Sequence, residues 1–195
     1  YLSFNGEIYN HRDIKKKLIS KKINFDGSTD TEVLYEYLIN NKFENFEKIN
    51  GMWSFAFYNK KNNELLLSRD LLGERHLFYT IENNQLIFSS EVKPIISVSE
   101  NVNEMDFESI INSWKFTSSN PGKTLLKNIS RLKPGTNLHF KNGKIKIAQF
   151  QKLHPEKWFE CYNANPSINE VEKKFESIFI QEVDSRLPKV QRISL

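Results

Sequence analysis

The sequence predicts an α+β fold in which sheets are covered by helices. Three observations carry that expectation. Apolar runs come in closely spaced pairs: Met52–Tyr58 with Glu64–Ser68, Leu77–Ile81 with Gln85–Ser89, and Leu138–Phe140 with Lys144–Ile147. Asn142-Gly143, between the last two, is a strong hairpin turn signal. Around these pairs lie segments with one apolar stripe at helical spacing, two of them opened by capping-box patterns, Thr29…Glu32 and Ser167…Glu170. The strand runs carry few polar interruptions, which fits strands covered on both faces.

Taken in order, Tyr1, Leu2 and Phe4 form an apolar strand end. It runs into a polar, glycine-containing corner, Asn5-Gly6-Glu7-Ile8-Tyr9-Asn10. Asn10 can cap a helix from His11 to Lys22 with Ile14, Leu18 and Ile19 as its stripe. Asp26-Gly27 turns the chain, and a second helix follows with Val33, Leu34, Tyr37 and Leu38 buried. Polar Asn59 to Asn63 make a turn, Arg69-Asp70-Leu71-Leu72-Gly73 a loop, and Glu82-Asn83-Asn84 another turn. Ser90 to Ser97 reads as a short helix despite Pro94. Asp106 to Trp114 reads as a helix with Phe107, Ile110, Ile111 and Trp114 on its packed side. Residues 1–150 form one domain on this reading, 151–166 a linker, and 167–195 the opening of a second, α/β domain. In that opening, a helix bears Ile168, Val171, Phe175, Ile178, Phe179, Val183 and Leu187 on one face and stops at Pro188. Val190 to Leu195 begin a buried strand. The chain starts within one apolar run and ends within another, so both ends are expected to be cut from a longer protein.

Composition narrows the function classes. With 195 residues, 38% hydrophobic and 15 phenylalanines, the chain can bury a core. The net charge of +4 resides largely in lysine clusters on helix faces and turns (Lys15 to Lys17, Lys21-Lys22, Lys60-Lys61, Lys173-Lys174). No nucleic-acid motif accompanies them, so a solvated surface and no nucleic-acid partner are expected. The single cysteine, Cys161, excludes an intrachain disulfide framework and fits a reducing, cytoplasmic setting. No run approaches a membrane span, so no membrane association is expected. Cys161 has no basic neighbour to activate it and reads as an ordinary thiol. His11, His76, His139 and His154 lack partners at metal-ligand spacing, so no metal site is expected.

Two places offer site chemistry. Asn5 brings an amide donor, Gly6 a backbone N–H and Glu7 an acceptor, a set suited to a small polar substrate and a developing oxyanion; a strand-to-helix turn alone would use the same residues. Asp30, in the first turn of a capped helix, is either helix-start chemistry or an acid for a substrate ammonium.

Six blocks occur in register: Asn5-Gly6-Glu7-Ile8-Tyr9-Asn10, Thr29-Asp30-Thr31-Glu32-Val33, Asn50-Gly51-Met52-Trp53-Ser54-Phe55-Ala56, Arg69-Asp70-x-x-Gly73, Ser90-Glu91-Val92-Lys93 and Leu132-x-Pro134-Gly135. Over essentially the whole chain this resembles the glutamine amidotransferase domain of glutamine-hydrolysing asparagine synthetases. The resemblance implies a four-layer αββα sandwich of the N-terminal-nucleophile hydrolase type, followed by the opening helix and strand of an α/β ATP-pyrophosphatase domain. It implies an N-terminal cysteine attacking glutamine, whose free α-amino group acts as its base. Asn5 and Gly6 match the oxyanion pair, Gly6-Glu7 the segment along bound glutamine, and Asp30 the acid holding its α-amino group. The matching nucleophile and the arginine for the glutamine carboxylate would precede Tyr1, and the ATP and Mg²⁺ sites would follow Leu195, so the isolated segment is expected to be inactive and to hold no cofactor. The whole protein would amidate L-aspartate through an aspartyl-adenylate and admits a homodimer. Two alternatives are an amidotransferase acting on another carboxylate, such as a polysaccharide sugar acid, and a non-catalytic scaffold of this fold. Arg75-His76, preceded by Glu74, stands where the family usually has a Lys-Pro pair after the glycine; the basic charge is kept and a fixed φ is lost.

Overall fold

The computed structural model describes residues 1–41, 43–102, 104–116, 120–153 and 166–187. Its elements are β1 (Leu2–Ile8), α1 (His11–Ser20), α2 (Asp30–Asn40), β2 (Gly51–Asn59), β3 (Glu64–Arg69), β4 (Phe78–Glu82), β5 (Gln85–Ser89), α3 (Val92–Val98), α4 (Phe107–Phe116), β6 (Ser130–Arg131), β7 (Thr136–Lys141), β8 (Lys144–Gln149) and α5 (Ile168–Arg186). The chain divides into two compact units, Tyr1–Lys152 and Leu153–Leu195.

In the first unit β1-β2-β3-β7-β8 form one antiparallel sheet and β5-β4-β6 a second. Strand alternation sorts the side chains into layers. Trp53, Phe55 and Phe57 of β2 and Leu66 of β3 face α1 and α2, packing with Ile14, Leu18, Val33, Leu34 and Leu38. Ala56, Leu67 and Leu138, on the opposite face, meet Leu77, Tyr79 and Leu132 from the second sheet's side. Phe78, the neighbour of Tyr79 on β4, turns outward to Ile95 of α3, Val102 and Ile129. The order is therefore helix, sheet, sheet, helix. The hairpins follow their turn chemistry: Asn83-Asn84 and Asn142-Gly143 both adopt positive φ at two successive residues.

Two polar motifs far apart in sequence form one knot. The Asp70 carboxylate, 1% exposed, accepts backbone N–H bonds from Trp53 (3.2 Å), Leu72 (3.0 Å), Glu74 (3.1 Å) and Arg75 (3.2 Å). Its main-chain oxygen accepts from Gly135 at 2.8 Å. Arg69 donates from Nε to Arg75 O (2.7 Å) and from Nη1 to Leu132 O (2.8 Å), tying β3 to the second sheet's side. Gly73, at φ +68°, is wedged between Arg69 and Pro134, where a Cβ would lie 2.8 Å from each. The blocks Arg69-Asp70-x-x-Gly73 and Leu132-x-Pro134-Gly135 are thus two halves of one loop junction.

Several expectations need correction. Asn5-Gly6-Glu7 is not a corner: β1 runs on to Ile8, because the segment pairs with Met52–Ser54 of β2. Asn10 makes no side-chain cap on α1; it donates to Lys48 O (2.9 Å) and accepts from Asn50 N (3.0 Å), so a long-range bridge displaces the local cap. α1 ends at Ser20, and Ile19 is exposed. Thr29 accepts from Glu32 N, but the Glu32 carboxylate reaches back to Asp26 and Gly27 N–H groups, so the capping box is half formed. On α4, Phe107, Ile111 and Trp114 are 71%, 52% and 89% exposed and Ser109 is the buried residue. Periodicity located the apolar stripe but not the face that packs: the helix turns Ser109 inward, while Asp106 caps it by accepting from Ser109 N and pairs with Lys123.

In the second unit Ser167 and Glu170 complete a reciprocal capping box at the start of α5, whose Phe175 and Phe179 rings stack 6.1 Å apart. Cys161, His154, Pro188 and the strand expected over Val190–Leu195 lie outside the described residues.

Two outcomes follow from the packing. Asp70→Asn leaves one acceptor oxygen where a carboxylate met four donors, and should cost about 3 kcal/mol or more; urea unfolding at unchanged slope measures it. Burial first, and the Glu47 charge second, push the Tyr37 hydroxyl from 10.0 up to about 12. The neutral phenol is favoured by the fold, so its stabilisation is complete below pH 10 and is lost as pH rises toward 12. Tyr37→Phe, which also removes the 2.9 Å bond to Asn45 O, should flatten that alkaline decline relative to the parent chain.

Candidate functional site

The geometry of β1 decides what the site can offer. Tyr1 and Tyr58 exchange both backbone bonds, Tyr1 N to Tyr58 O at 2.9 Å and Tyr58 N to Tyr1 O at 2.8 Å; Tyr9 N donates to Asn50 O at 2.8 Å. In an antiparallel ladder such hydrogen-bonded pairs recur at every second residue. Ser3, Asn5 and Glu7 are therefore the residues bonded to Ala56, Ser54 and Met52. The backbone groups of Leu2, Phe4, Gly6 and Ile8 point the other way, to the sheet's open edge.

At that edge the Ile8 N–H donates to Asp30 Oδ2 at 3.1 Å, which draws the start of α2 against the end of β1. Ile8 O accepts from His11 Nδ1 at 2.7 Å; a carbonyl cannot donate, so that ring nitrogen carries the hydrogen. Among the described residues the other Asp30 oxygen meets only the Thr31 hydroxyl, at 3.4 Å, which leaves it with acceptor capacity. Two residues before Ile8, the Gly6 N–H lies on the same edge. Two glycines allow the close β1–β2 approach here. A Cβ on Gly6 would fall 2.1 Å from Met52 O, and one on Gly51 2.3 Å from Glu7 O.

The side chains of Asn5 and Glu7 project from the other face of β1, the face shared with Ser54 and Ala56, and both are exposed. The row Asn5, Ser54, Arg69, Thr136 crosses the sheet in register, polar throughout and buried from Ser54 onward. The fold thus brings Gly6 and Asp30 to one edge, with Asn5 and Glu7 beside it. It holds the strand through Trp53, the register partner of Gly6, whose N–H is fixed by Asp70.

Sequence reasoning named Asp70, Asn10 and His11 but missed the contacts through which they support this arrangement. A weak signal existed for Asp70, since an aspartate opening a glycine-containing loop favours Asx-type turns. The cross-chain bridges of Asn10 and the orientation of His11 have no local signature. Among the described residues no three His, Cys, Asp or Glu side chains come together so as to hold a metal ion, and no helix is long and apolar enough to cross a membrane. Burial holds His139 below its ordinary pKa.

The profile of the glutamine amidotransferase domain family matches residues 1–151. Asparagine synthetase [glutamine-hydrolyzing] 3 of Bacillus subtilis (strain 168) is 27% identical over 186 residues, covering 95% of this chain and 30% of that protein. Asparagine synthetase [glutamine-hydrolyzing] 1 of the same organism is 34% identical over 136 residues, covering 70% of this chain and 21% of its own length. A putative asparagine synthetase of Methanocaldococcus jannaschii is 31% identical over 175 residues, covering 87% of this chain and 33% of that protein. The chain therefore spans a third or less of these relatives. Among solved structures, glutamine phosphoribosylpyrophosphate amidotransferase from B. subtilis superposes with a TM-score of 0.52 at 18% identity over 77% of this chain and 29% of its own. A structure described as the allosteric regulatory enzyme of purine biosynthesis gives a TM-score of 0.57 at 18% identity over 77% of this chain and 28% of its own. These two establish the fold, and the profile match over most of the chain establishes the rest: it belongs to the glutamine amidotransferase domain family and is related to the glutamine-hydrolysing asparagine synthetases.

Proposed function

We propose that the chain forms the glutamine-binding part of an amidotransferase that supplies ammonia for the amidation of L-aspartate. The observation that carries this reading is the Ile8–Asp30 hydrogen bond, which holds a carboxylate with spare acceptor capacity on the strand edge that also bears the Gly6 N–H. A zwitterionic amino acid needs an acceptor for its ammonium at one end. At the other, it needs donors where its side-chain carbonyl becomes an oxyanion. Asp30 takes the first role. The Gly6 N–H and Asn5 amide take the second, and Glu7 flanks the substrate between them.

In the complete protein the nucleophile of this reading is an amino-terminal cysteine. Its sulfur adds to the amide carbon of glutamine. The carbon–nitrogen bond then breaks, the leaving nitrogen takes a proton and departs as ammonia, and water cleaves the thioester to give glutamate. The acceptor reaction, with its ATP and Mg²⁺, belongs to a synthetase domain beyond residues 1–152; α5 is the opening helix of that domain on this reading. The relatives' names support aspartate as acceptor. Retention of Asn5, Glu7 and Asp30 together favours a working site over an idle scaffold.

The test is glutaminase kinetics on the complete protein. Asp30→Asn should raise the KM for glutamine about 10- to 100-fold, the loss of one charge-assisted contact. Asn5→Ala should lower kcat by ~10²–10³ with little change in KM, because the oxyanion exists only in the transition state. Unchanged KM in the first variant and unchanged kcat in the second would falsify the assignment.

A further inference from the structure

A cleft of about 440 Å³ opens between β4 and β8, at the far end of the five-stranded sheet from β1. Its origin is the shortness of β6. β4 runs from Phe78 to Glu82, but β6 pairs only with Phe78 and Tyr79. The bond from Leu132 N to Leu77 O sets the phase of that ladder: the backbone groups of Leu77 and Tyr79 face β6, and so do those of Ile81. The β4–β5 hairpin gives the same phase, since its closing pair is Glu82 with Gln85. The register would set Asn128 opposite Ile81, but there the chain has left the sheet: Leu126 bridges to Met105 and Lys127 N donates to Glu104 O. Among the described residues the Ile81 N–H and C=O therefore have no hydrogen-bond partner.

Polar groups stand around this bare stretch of strand. Thr80 lines the cleft and is only 5% exposed, yet among the described residues its hydroxyl has no hydrogen-bond partner. Asn128 donates its amide N–H to Asn101 O at 2.5 Å, and Asn101 donates to Glu82 Oε1 at 2.6 Å, which leaves both amide oxygens able to accept. The half-exposed side chains of Ile81 and Ile145 add apolar wall. The charges are already committed. Glu82 accepts from Ser99 Oγ, Glu100 N and Asn101 Nδ2, and Lys127 pairs with Glu104. Two carboxylates against one ammonium disfavour an anion here.

A main-chain N–H and C=O on one edge match a cyclic amide, whose own C=O and N–H point the same way. The uncommitted Thr80 hydroxyl and asparagine oxygens match hydroxyl groups. We propose that the cleft binds an uncharged nucleoside whose base carries such an amide, with the base on Ile81 and the ribose hydroxyls on Thr80, Asn101 and Asn128. The site is separate from the strand edge that holds Gly6 and Asp30, so it stands whether or not that edge binds glutamine.

Uridine and inosine are titrated into the complete protein by calorimetry, and amide hydrogen exchange is followed over residues 78–82. Saturable binding by at least one of them, with slowed exchange at Ile81, is expected. The matching 3-methyluridine or 1-methylinosine lacks the amide N–H and should bind about tenfold more weakly or worse. Thr80→Val, which keeps the side chain's shape and removes its hydroxyl, should weaken the parent nucleoside by a similar factor. Glucose, with hydroxyls and no amide, should not saturate. Absence of saturable binding by both nucleosides overturns the proposal. So does methylation without effect, binding unaltered in Thr80→Val, or glucose binding as tightly.

Discussion

The carboxylate of Asp70 is the constraint on which the rest of the first unit depends. Four backbone N–H groups from two segments end on it. One belongs to Trp53 in the middle of β2, and three belong to the loop that leads from the five-stranded sheet to the three-stranded one. A buried carboxylate without such donors would be costly, and a loop with so many inward N–H groups would be costly without a carboxylate. Each solves the other's problem. Arg69 beside it does the same for carbonyl oxygens, including Leu132 O. The pair acts as one device: the aspartate gathers donors, the arginine gathers acceptors, and the two sheets meet at a fixed spacing over the Leu67 and Leu138 core.

This explains why the blocks that carried the family resemblance lie where they do. Asn50-Gly51-Met52-Trp53 and Asn5-Gly6-Glu7 are the two sides of one ladder. Arg69-Asp70 and Pro134-Gly135 are the two sides of one loop junction. Asp30 joins the second block to the first through Ile8. Motifs scattered over more than a hundred residues of sequence are adjacent parts of a single hydrogen-bonded frame.

The hairpins and helix starts were readable from local chemistry, because a turn asparagine or a capping serine acts within four residues of itself. Asn142-Gly143 and Ser167…Glu170 behave as that chemistry predicts. Asp30 was likewise legible as a first-turn acid, but its contact with Ile8 was not, since nothing local links residue 30 to residue 8. Asn10 shows the limit from the other side. Its side chain had a good local use as a cap and a better distant one, bridging Lys48 and Asn50. The α4 stripe failed for a related reason: helical spacing reports that a face is apolar, not which way that face turns, and here Ser109 is the buried residue.

The alternation along β1 has a consequence for how this site can change. Odd-numbered residues spend their amides on β2 and turn their side chains to the other sheet; even-numbered residues turn their amides to the open edge, where Ile8 donates to Asp30, and their side chains to the helices. Inserting or deleting one residue anywhere between Leu2 and Gly6 would exchange the two sets at once. Phe4 would leave the core, Asn5 would enter it, and the free amide would pass to a residue with a side chain in the way. Substitutions can tune this strand one position at a time, whereas a change of phase is all or nothing.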